Sequence, residues 1–367
     1  MESVVTPMNH GVLFNETYRG KKVLLTGHTG FKGTWLLAWL HRLGADVTGY
    51  ALAPDADHRL YTDVAGDTMC KSIIADVRDR ERIKKEIVAL QPDFIFHLAA
   101  QPLVRLSYEQ PVETFSANII GTAHVLDALR DVKKKCTVVI VTTDKVYENK
   151  ETGRYYTETD PLGGYDPYSA SKAACEIVVS SYRNSFFNPT SFQQHNKAVA
   201  SARAGNVIGG GDWARDRIVP DLVRAFTKNQ KALIRNPAAI RPWQHVLEPI
   251  AGYLLLGAML DNDPVKFGTS WNFGPLPSDV LTVRELVECA LKYWENGEVE
   301  FASSPVGPHE AGVLKLDISK AENILGRRPK YNAAEAIRLT IEWYKGVIAN
   351  KEDAGKLIGQ QIKEYAG

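Results

Sequence analysis

The chain has 367 residues, 44% of them hydrophobic and 24% charged, with a formal net charge of +1. This is the composition of a folded protein with room for two or three domains, and the near-neutral charge gives no general reason to expect nucleic acid or an anionic membrane as partner. The four cysteines, Cys70, Cys136, Cys175 and Cys289, form no C-x-x-C and no Cys/His cluster, which argues against a disulfide scaffold and against a metal site. No run approaches the ~20 apolar residues of a membrane span. The first twenty residues contain no signal-like apolar run, so a reduced, cytoplasmic setting is expected.

Residues 1–19 are read as an N-terminal arm. KKVLLTG (21–27) is a strand ending at glycine. FKGTWLLAWLHRLG (31–44) is a helix with Trp35, Leu36, Trp39, Leu40 and Leu43 at helical spacing. Further strands are expected at 45–52, 72–77, 93–100 and 137–143, with helices at 80–91, 112–131 and 168–184 between or after them. A last strand begins near 198 and runs into a Gly-rich loop by 209. Apolar strands alternating with helices predict an α/β fold, a Rossmann-type doubly wound parallel sheet covered on both faces.

Beyond residue 209 the pattern is irregular, with short helices at 217–228 and 282–295 and an apolar stretch at 245–260. A smaller α/β substrate-binding domain is expected from 207–244 plus 276–350. The dinucleotide domain is then 20–206 plus about 245–275, and 351–367 is a C-terminal tail.

LLTGHTGFKG places Gly27, Gly30 and Gly33 as G-x-x-G-x-x-G between a strand and a helix. Glycines allow a tight turn and close approach of backbone to a pyrophosphate, and the helix start offers N–H groups to the charge. The acid expected about 20 residues on is replaced by Tyr50, and Arg59 lies further along, so NAD and NADP both fit these residues. Asp76 either receives the adenine amino group or caps its own loop.

YDPYSASKAACE (165–176) carries Tyr168 and Lys172 on one helical face. The same spacing occurs at Tyr18 and Lys22, so position must decide. Ligands of a doubly wound sheet gather at the carboxyl ends of strands. The fifth strand ends in VTTDKVY, which brings Thr142, Thr143, Asp144 and Lys145 to the rim where Tyr168 starts the next helix. Tyr18 precedes the first strand and has no such company. In the irregular second part, Arg215, Arg217, Arg235 and Arg241 are candidates for a diphosphate, because planar guanidinium suits phosphate.

TGHTGFKG, HLAAQ, TTDK, YSASK, RAGNVIGGGDW and RPWQHV together resemble the extended short-chain dehydrogenase/reductase superfamily over about residues 20 to 345. The longer strings AAQPLVRLSY, GGYDPYSASK, NVIGGGDWARDRIVPD and IRPWQHVLEP are similar to the CDP-glucose 4,6-dehydratase family of bacterial 3,6-dideoxyhexose and O-antigen sugar biosynthesis. The resemblance implies NAD held tightly and recycled within one turnover, with CDP-glucose as substrate. It implies Thr143, Asp144, Lys145, Tyr168 and Lys172 as the catalytic set. The implied cofactor contacts are Gly27, Thr29, Gly30, Phe31, Lys32, Gly33, Asp76, Val77, Leu98, Ala99, Ala100, Asn118, Thr142, Tyr168 and Lys172. On the nucleotide-sugar side it implies Gln101, Arg105, Asn206, Arg217, Arg235, Arg241 and His309, with Glu310 beside the last.

One departure stands out. Dehydratases acting on dTDP- and GDP-sugars carry Asp-Glu after the threonine, and here the pair is Asp144-Lys145, as in the CDP-glucose family. Lys145 is then a neutral base at C5, a group that holds Asp144 charged while water moves the proton, or an exposed strand-end lysine. A 4-epimerase or a reductase of the same superfamily is one rival, and Asp144 argues against an epimerase. A cofactor-sensing protein without chemistry is another, and Thr143, Tyr168 and Lys172 together argue against it. The helices at 112–131 and 168–184 carry apolar residues on more than one face, which suits a homodimer or tetramer.

Overall fold

The computed structural model describes residues 16–54, 59–303 and 313–367. Seven parallel strands form one sheet: β1 Lys22–Thr26, β2 Asp46–Ala51, β3 Lys71–Ile74, β4 Phe94–His97, β5 Cys136–Val141, β6 Lys197–Ala204 and β7 Ser270–Phe273. Their order across the sheet is β7-β6-β5-β4-β1-β2-β3. The chain runs outward from β1 through β2 to β3, then jumps back to β4 on the other side of β1. This reversal of strand order is where a doubly wound sheet opens a crevice for a ligand. All six residues of β5 and all eight of β6 are buried, as a central strand covered on both faces requires.

Helix α1 (Phe31–Arg42) buries Trp35, Leu36, Trp39 and Leu40 against the sheet, and the Trp35 indole donates to the Gly210 carbonyl at 2.9 Å. Helix α2 is Arg80–Leu90, capped by Asp79. The stretch expected as one helix over 112–131 is helical without a break from Pro111 to Asp131, with one π-turn set within it. Pro111–Phe115 is α-helical, Ser116–Ile120 is a π-helical turn, and helix α3 follows at Gly121–Ala128. The wide turn carries the Asn118 side chain sideways, where its amide is committed to Gln101 and Ser171. Such π-turns are rare and concentrate at functional sites. Helix α4, Pro167–Ser185, carries the Tyr-Lys pair.

The remainder builds a smaller α/β lobe. Helices α5 (Ile218–Thr227), α7 (Val283–Trp294) and α8 (Ala333–Ile348) lie among short strand pairs, including Ala232–Ile234 beside Val299–Phe301. Helix α6 (Leu247–Asn262) is buried on nearly every face and returns the chain to β7. The small residues of KAVASARA in β6 leave room for it.

Two terminal readings change. Tyr18, expected in the arm, is fully buried. Its hydroxyl donates to the Leu254 carbonyl at 2.6 Å and its ring lies 4.9 Å from that of Phe94. A large apolar ring beside the first strand gains more from the core than from solvent. The C-terminal segment, expected as a tail, carries helix α9 (Ala354–Ala366) with Ile358, Ile362 and Tyr365 buried. The Tyr365 hydroxyl donates to Glu248 at 2.7 Å, and its ring meets Trp39 edge-on. Among the described residues no helix is long and apolar enough to cross a membrane, and no group of side chains could hold a metal ion.

Candidate active site

The crevice begins at the glycine turn after β1. Gly27 has φ +75°, and a methyl added there would lie 2.7 Å from the Ala99 nitrogen. At Gly33 an added Cβ would sit 1.9 Å from the Gly27 carbonyl oxygen, so α1 packs directly on the turn. Gly30 meets nothing closer than 3.4 Å, which leaves the turn open above it. The first turn of α1 has no acidic residue and no side-chain cap. Its N–H groups are therefore available to an anion, and the cradle fits the pyrophosphate of a dinucleotide. Thr29 pins the turn by donating to the Leu52 carbonyl at 2.9 Å, and Phe31 is buried. Leu98, Ala99 and Ala100 follow β4, and the Leu98 and Ala99 nitrogens each donate to Thr26 Oγ1 at 3.2 Å. Val77 is buried, with its side chain against Gly121.

At the far end of the crevice, Asp76 turns to its own loop. Its carboxylate accepts from the Arg78 nitrogen at 2.8 Å and from the Arg78 guanidinium at 2.6 and 2.8 Å. The guanidinium holds the carboxyl below its ordinary range. The loop-cap reading of Asp76 thus describes its contacts. Tyr50 is buried, and its hydroxyl donates to the Asp76 carbonyl at 2.9 Å.

The catalytic candidates converge where β5 ends. The Thr143 hydroxyl donates to Asp144 Oδ1 at 2.9 Å. Asp144 is buried, and its other oxygen accepts from the Asn206 amide at 3.3 Å. Gly205 lies so close that a methyl group there would sit 2.0 Å from the Asp144 carboxyl carbon. Helix α4 starts at Pro167, and Asp166 caps it by accepting from the Ser169 nitrogen at 2.9 Å. Tyr168 is held by its own backbone nitrogen, which donates to Ser107 Oγ at 3.1 Å. Burial pushes its phenol up to about 12, with Asp144 adding to the rise, while Thr143 and Arg217 pull it down. Lys172 is buried one turn on and donates to the Val141 carbonyl at 3.3 Å. Burial holds its ammonium below the ordinary lysine range.

Lys145 stands slightly apart. It lines a pocket of about 230 Å³ with Tyr147, Glu148, Tyr165, Asp166 and Ser169, beside the start of α4. Lys32 reaches inward from α1. Burial and the neighbouring cations Lys172 and Arg217 lower it to about 7, against the opposing pull of Asp144 and Asp212. The Tyr253 hydroxyl, buried beside Asp144 and Tyr168, has no hydrogen-bond partner among the described residues.

Asn118, Gln101 and Thr142 are placed behind the crevice wall. The Asn118 amide accepts from the Gln101 nitrogen at 2.8 Å and donates to the Gln101 carbonyl at 3.1 Å and Ser171 Oγ at 2.8 Å. The Gln101 side chain bonds Leu103 and Thr114. The Thr142 hydroxyl donates to Glu176 at 2.5 Å. The arginines of the second lobe gather on two aspartates. Arg217 pairs with Asp212 at 2.7 Å, while Arg235 and Arg105 approach one oxygen of Asp216 at 2.7 and 3.6 Å. Arg241 is buried and donates to the Ile240 carbonyl at 3.1 Å. His309, with Glu310, lies outside the described residues. Sequence reading missed Glu176, Arg203 and Gly205; the glycine two residues after Arg203 was the only local signal.

A family model described as GDP-mannose 4,6 dehydratase matches residues 24–340. A CDP-glucose 4,6-dehydratase of Salmonella typhimurium is 47% identical over 348 residues, covering 95% of this chain and 97% of that protein. Among solved structures, the Streptomyces venezuelae dTDP-glucose 4,6-dehydratase DesIV with NAD and TYD bound superposes with a TM-score of 0.74 at 24% identity, over 88% of this chain and 97% of that one. The Thermotoga maritima UDP-glucose 4-epimerase with UDP-glucose gives a TM-score of 0.76 at 20% identity, over 89% and 99%.

Proposed function

The chain belongs to the nucleotide-sugar dehydratase family described as GDP-mannose 4,6 dehydratase, and from that membership we propose that it converts CDP-D-glucose to CDP-4-dehydro-6-deoxy-D-glucose with loss of water. The observation that carries the reading is the 47% identity, over nearly the full length of both chains, to a CDP-glucose 4,6-dehydratase. The cofactor is NAD, which the glycine turn of Gly27, Gly30 and Gly33 would hold and which would supply the hydride acceptor for C4 and the donor for C6, with no net redox change.

Tyr168 accepts the proton of the sugar 4-hydroxyl, and Thr143 hydrogen-bonds the 4-oxygen. A phenol near 12 is a poor base at neutral pH, so cations must lower it. Arg217 already does so, and Lys172 is a second cation one turn along α4. The ketone at C4 acidifies C5–H, which opens elimination across C5 and C6. Asp144 protonates the departing 6-hydroxyl, and its attachment to Thr143 keeps it beside the reacting carbons. The C5 proton passes to Lys145, or to water while Lys145 holds Asp144. A 4-epimerase needs no acid at C6, and a buried carboxyl held from both sides would then serve no purpose there.

Asn206 and Arg241 contact the diphosphate with Arg217 near it, Arg235 faces the nucleotide, Arg105 guards the sugar pocket, and Gln101 shapes the wall from behind. His309 completes the nucleotide side. Val112, Phe115, Ile120 and Ile177 are all more than a third exposed, on and beside the helices expected to pair, which supports a homodimer. The enzyme works in the cytoplasm, and its product enters 3,6-dideoxyhexose and O-antigen sugar synthesis. Incubation with CDP-, dTDP-, UDP- and GDP-hexoses, with products identified by mass and NMR, tests the reading. A 4-keto-6-deoxy product formed fastest from CDP-glucose is expected. Faster turnover of another nucleotide, or a C4 epimer as product, contradicts it.

A further inference from the structure

Glu176 sits one helical turn beyond Lys172 on α4 and is buried. A buried carboxylate persists only where donors surround it, and four groups surround this one. Thr142 at the end of β5 donates at 2.5 Å, Ser201 on β6 at 2.7 Å, and Ser270 on β7 at 3.2 Å. Arg203 on β6 donates at 2.9 Å. The second arm of that guanidinium donates to the Tyr147 hydroxyl at 2.8 Å, just past Asp144 and Lys145. One carboxylate therefore ties the helix carrying Tyr168 and Lys172 to the three strands at this edge of the sheet. Thr142 is covalently next to Thr143, and Arg203 is two residues from Gly205, which packs on Asp144.

We propose that Glu176 is the positioning residue of this active site, fixing α4 against β5, β6 and β7 so that Tyr168 and Lys172 face Thr143 and Asp144. The inference rests on the dehydratase reading above for the chemistry but not for the geometry. A second consequence follows from its charge. The groups facing Lys172 are Tyr168, Cys175 and Glu176 on its own helix, Lys32 from α1, and His97 from β4. His97 is buried and neutral, and Lys32 opposes a second cation. Glu176, one turn along the same helical face, is the carboxylate among these groups, and after Cys175 it opposes the lowering of Lys172 by burial.

The direct test follows Lys172 by NMR in protein labelled with carbon-13 at lysine Cε, the signal being assigned by its loss in Lys172→Arg. This needs no substrate. In Glu176→Gln the titration midpoint is expected to fall by about two pH units, the size of one charge about 6 Å away at an effective dielectric of about 20. Glu176→Asp keeps the charge and is expected to leave the midpoint in place. An unmoved midpoint in Glu176→Gln, or an equal fall in Glu176→Asp, overturns the electrostatic role. Thr142→Val tests positioning with the Glu176 charge kept and one of its four donors removed, and it is the variant to use if Glu176→Gln does not fold. It should lower kcat on CDP-glucose at least about tenfold with KM unchanged, because small misplacements are costly at a reacting centre. An unchanged kcat overturns the positioning role, whereas an unsubstituted enzyme inert to CDP-glucose would sink the dehydratase reading and leave the NMR result standing.

Discussion

Replacing Gly205 with alanine adds one methyl group directly against the Asp144 carboxyl. Gly205 does not have a positive φ, so alanine meets no backbone strain of its own. The methyl would lie 2.0 Å from the Asp144 carboxyl carbon and within 2.1 Å of both its oxygens. Asp144 is short and buried, so it cannot swing aside as a long surface chain could. Forcing it away breaks its bonds to Thr143 and Asn206. A hydrogen bond contributes about 0.5–1.5 kcal/mol net, so losing both costs about 1–3 kcal/mol before any relaxation. Stability of a domain is about 5–15 kcal/mol, so the variant should fold but unfold at clearly lower urea. Elimination should slow by about 10²–10⁴-fold, the usual contribution of a general acid–base group, while C4 oxidation suffers less. Urea unfolding gives the first quantity. Rapid quenching during turnover, with mass analysis of bound sugar, gives the second and should reveal an oxidised, undehydrated sugar. A Gly205→Ala protein with unaltered stability and turnover would refute the packing of Asp144 against this glycine.

Tyr168→Phe should lower kcat by about 10²–10⁴-fold and leave CDP-glucose binding within about twofold, since only one hydroxyl is lost; steady-state kinetics and calorimetry check both. Asp144→Asn should oxidise bound substrate and stall, and Lys145→Met should slow exchange of the C5 hydrogen with solvent deuterium if Lys145 takes that proton; normal exchange alongside slow water loss would assign Lys145 to tuning Asp144. Burial depresses three histidines from 6.5, His28 to about 4 and His97 and His245 to about 3. Their depressed folded values mean the unfolded chain binds more protons, so this stability is present above about pH 6.5 and lost as pH falls toward 3–4. At about pH 5 each should cost about 2 kcal/mol, and urea midpoints independent of pH between about 7 and 5 would contradict it.

The alternation of strands and helices, and the place of TTDK and YSASK at one rim, were readable because they depend on local spacing. The supports of those residues were not. The helix over 112–131 was legible, but not the π-turn within it, where Asn118 bonds Gln101 and Ser171, 17 and 53 residues away. Glu176 reads as one more polar helix position until β6 and β7 bring Ser201 and Ser270 to it. Tyr18 mimics Tyr168 in spacing to a lysine, and its burial comes from Leu254 and Phe94, which no nearby residue announces. Asp76 lay between two roles in the sequence, and the rotamer of Arg78 directs its carboxylate to the loop.

The fate of one hydrogen separates a dehydratase from every other enzyme this fold could carry. CDP-glucose bearing deuterium at C4 should yield a 4-keto-6-deoxy product with that deuterium at C6, while reduced cofactor never exceeds the enzyme concentration. Deuterium retained at C4 in an epimerised sugar, or released as stoichiometric reduced cofactor, would contradict the reaction assigned to Thr143, Asp144, Tyr168 and Lys172.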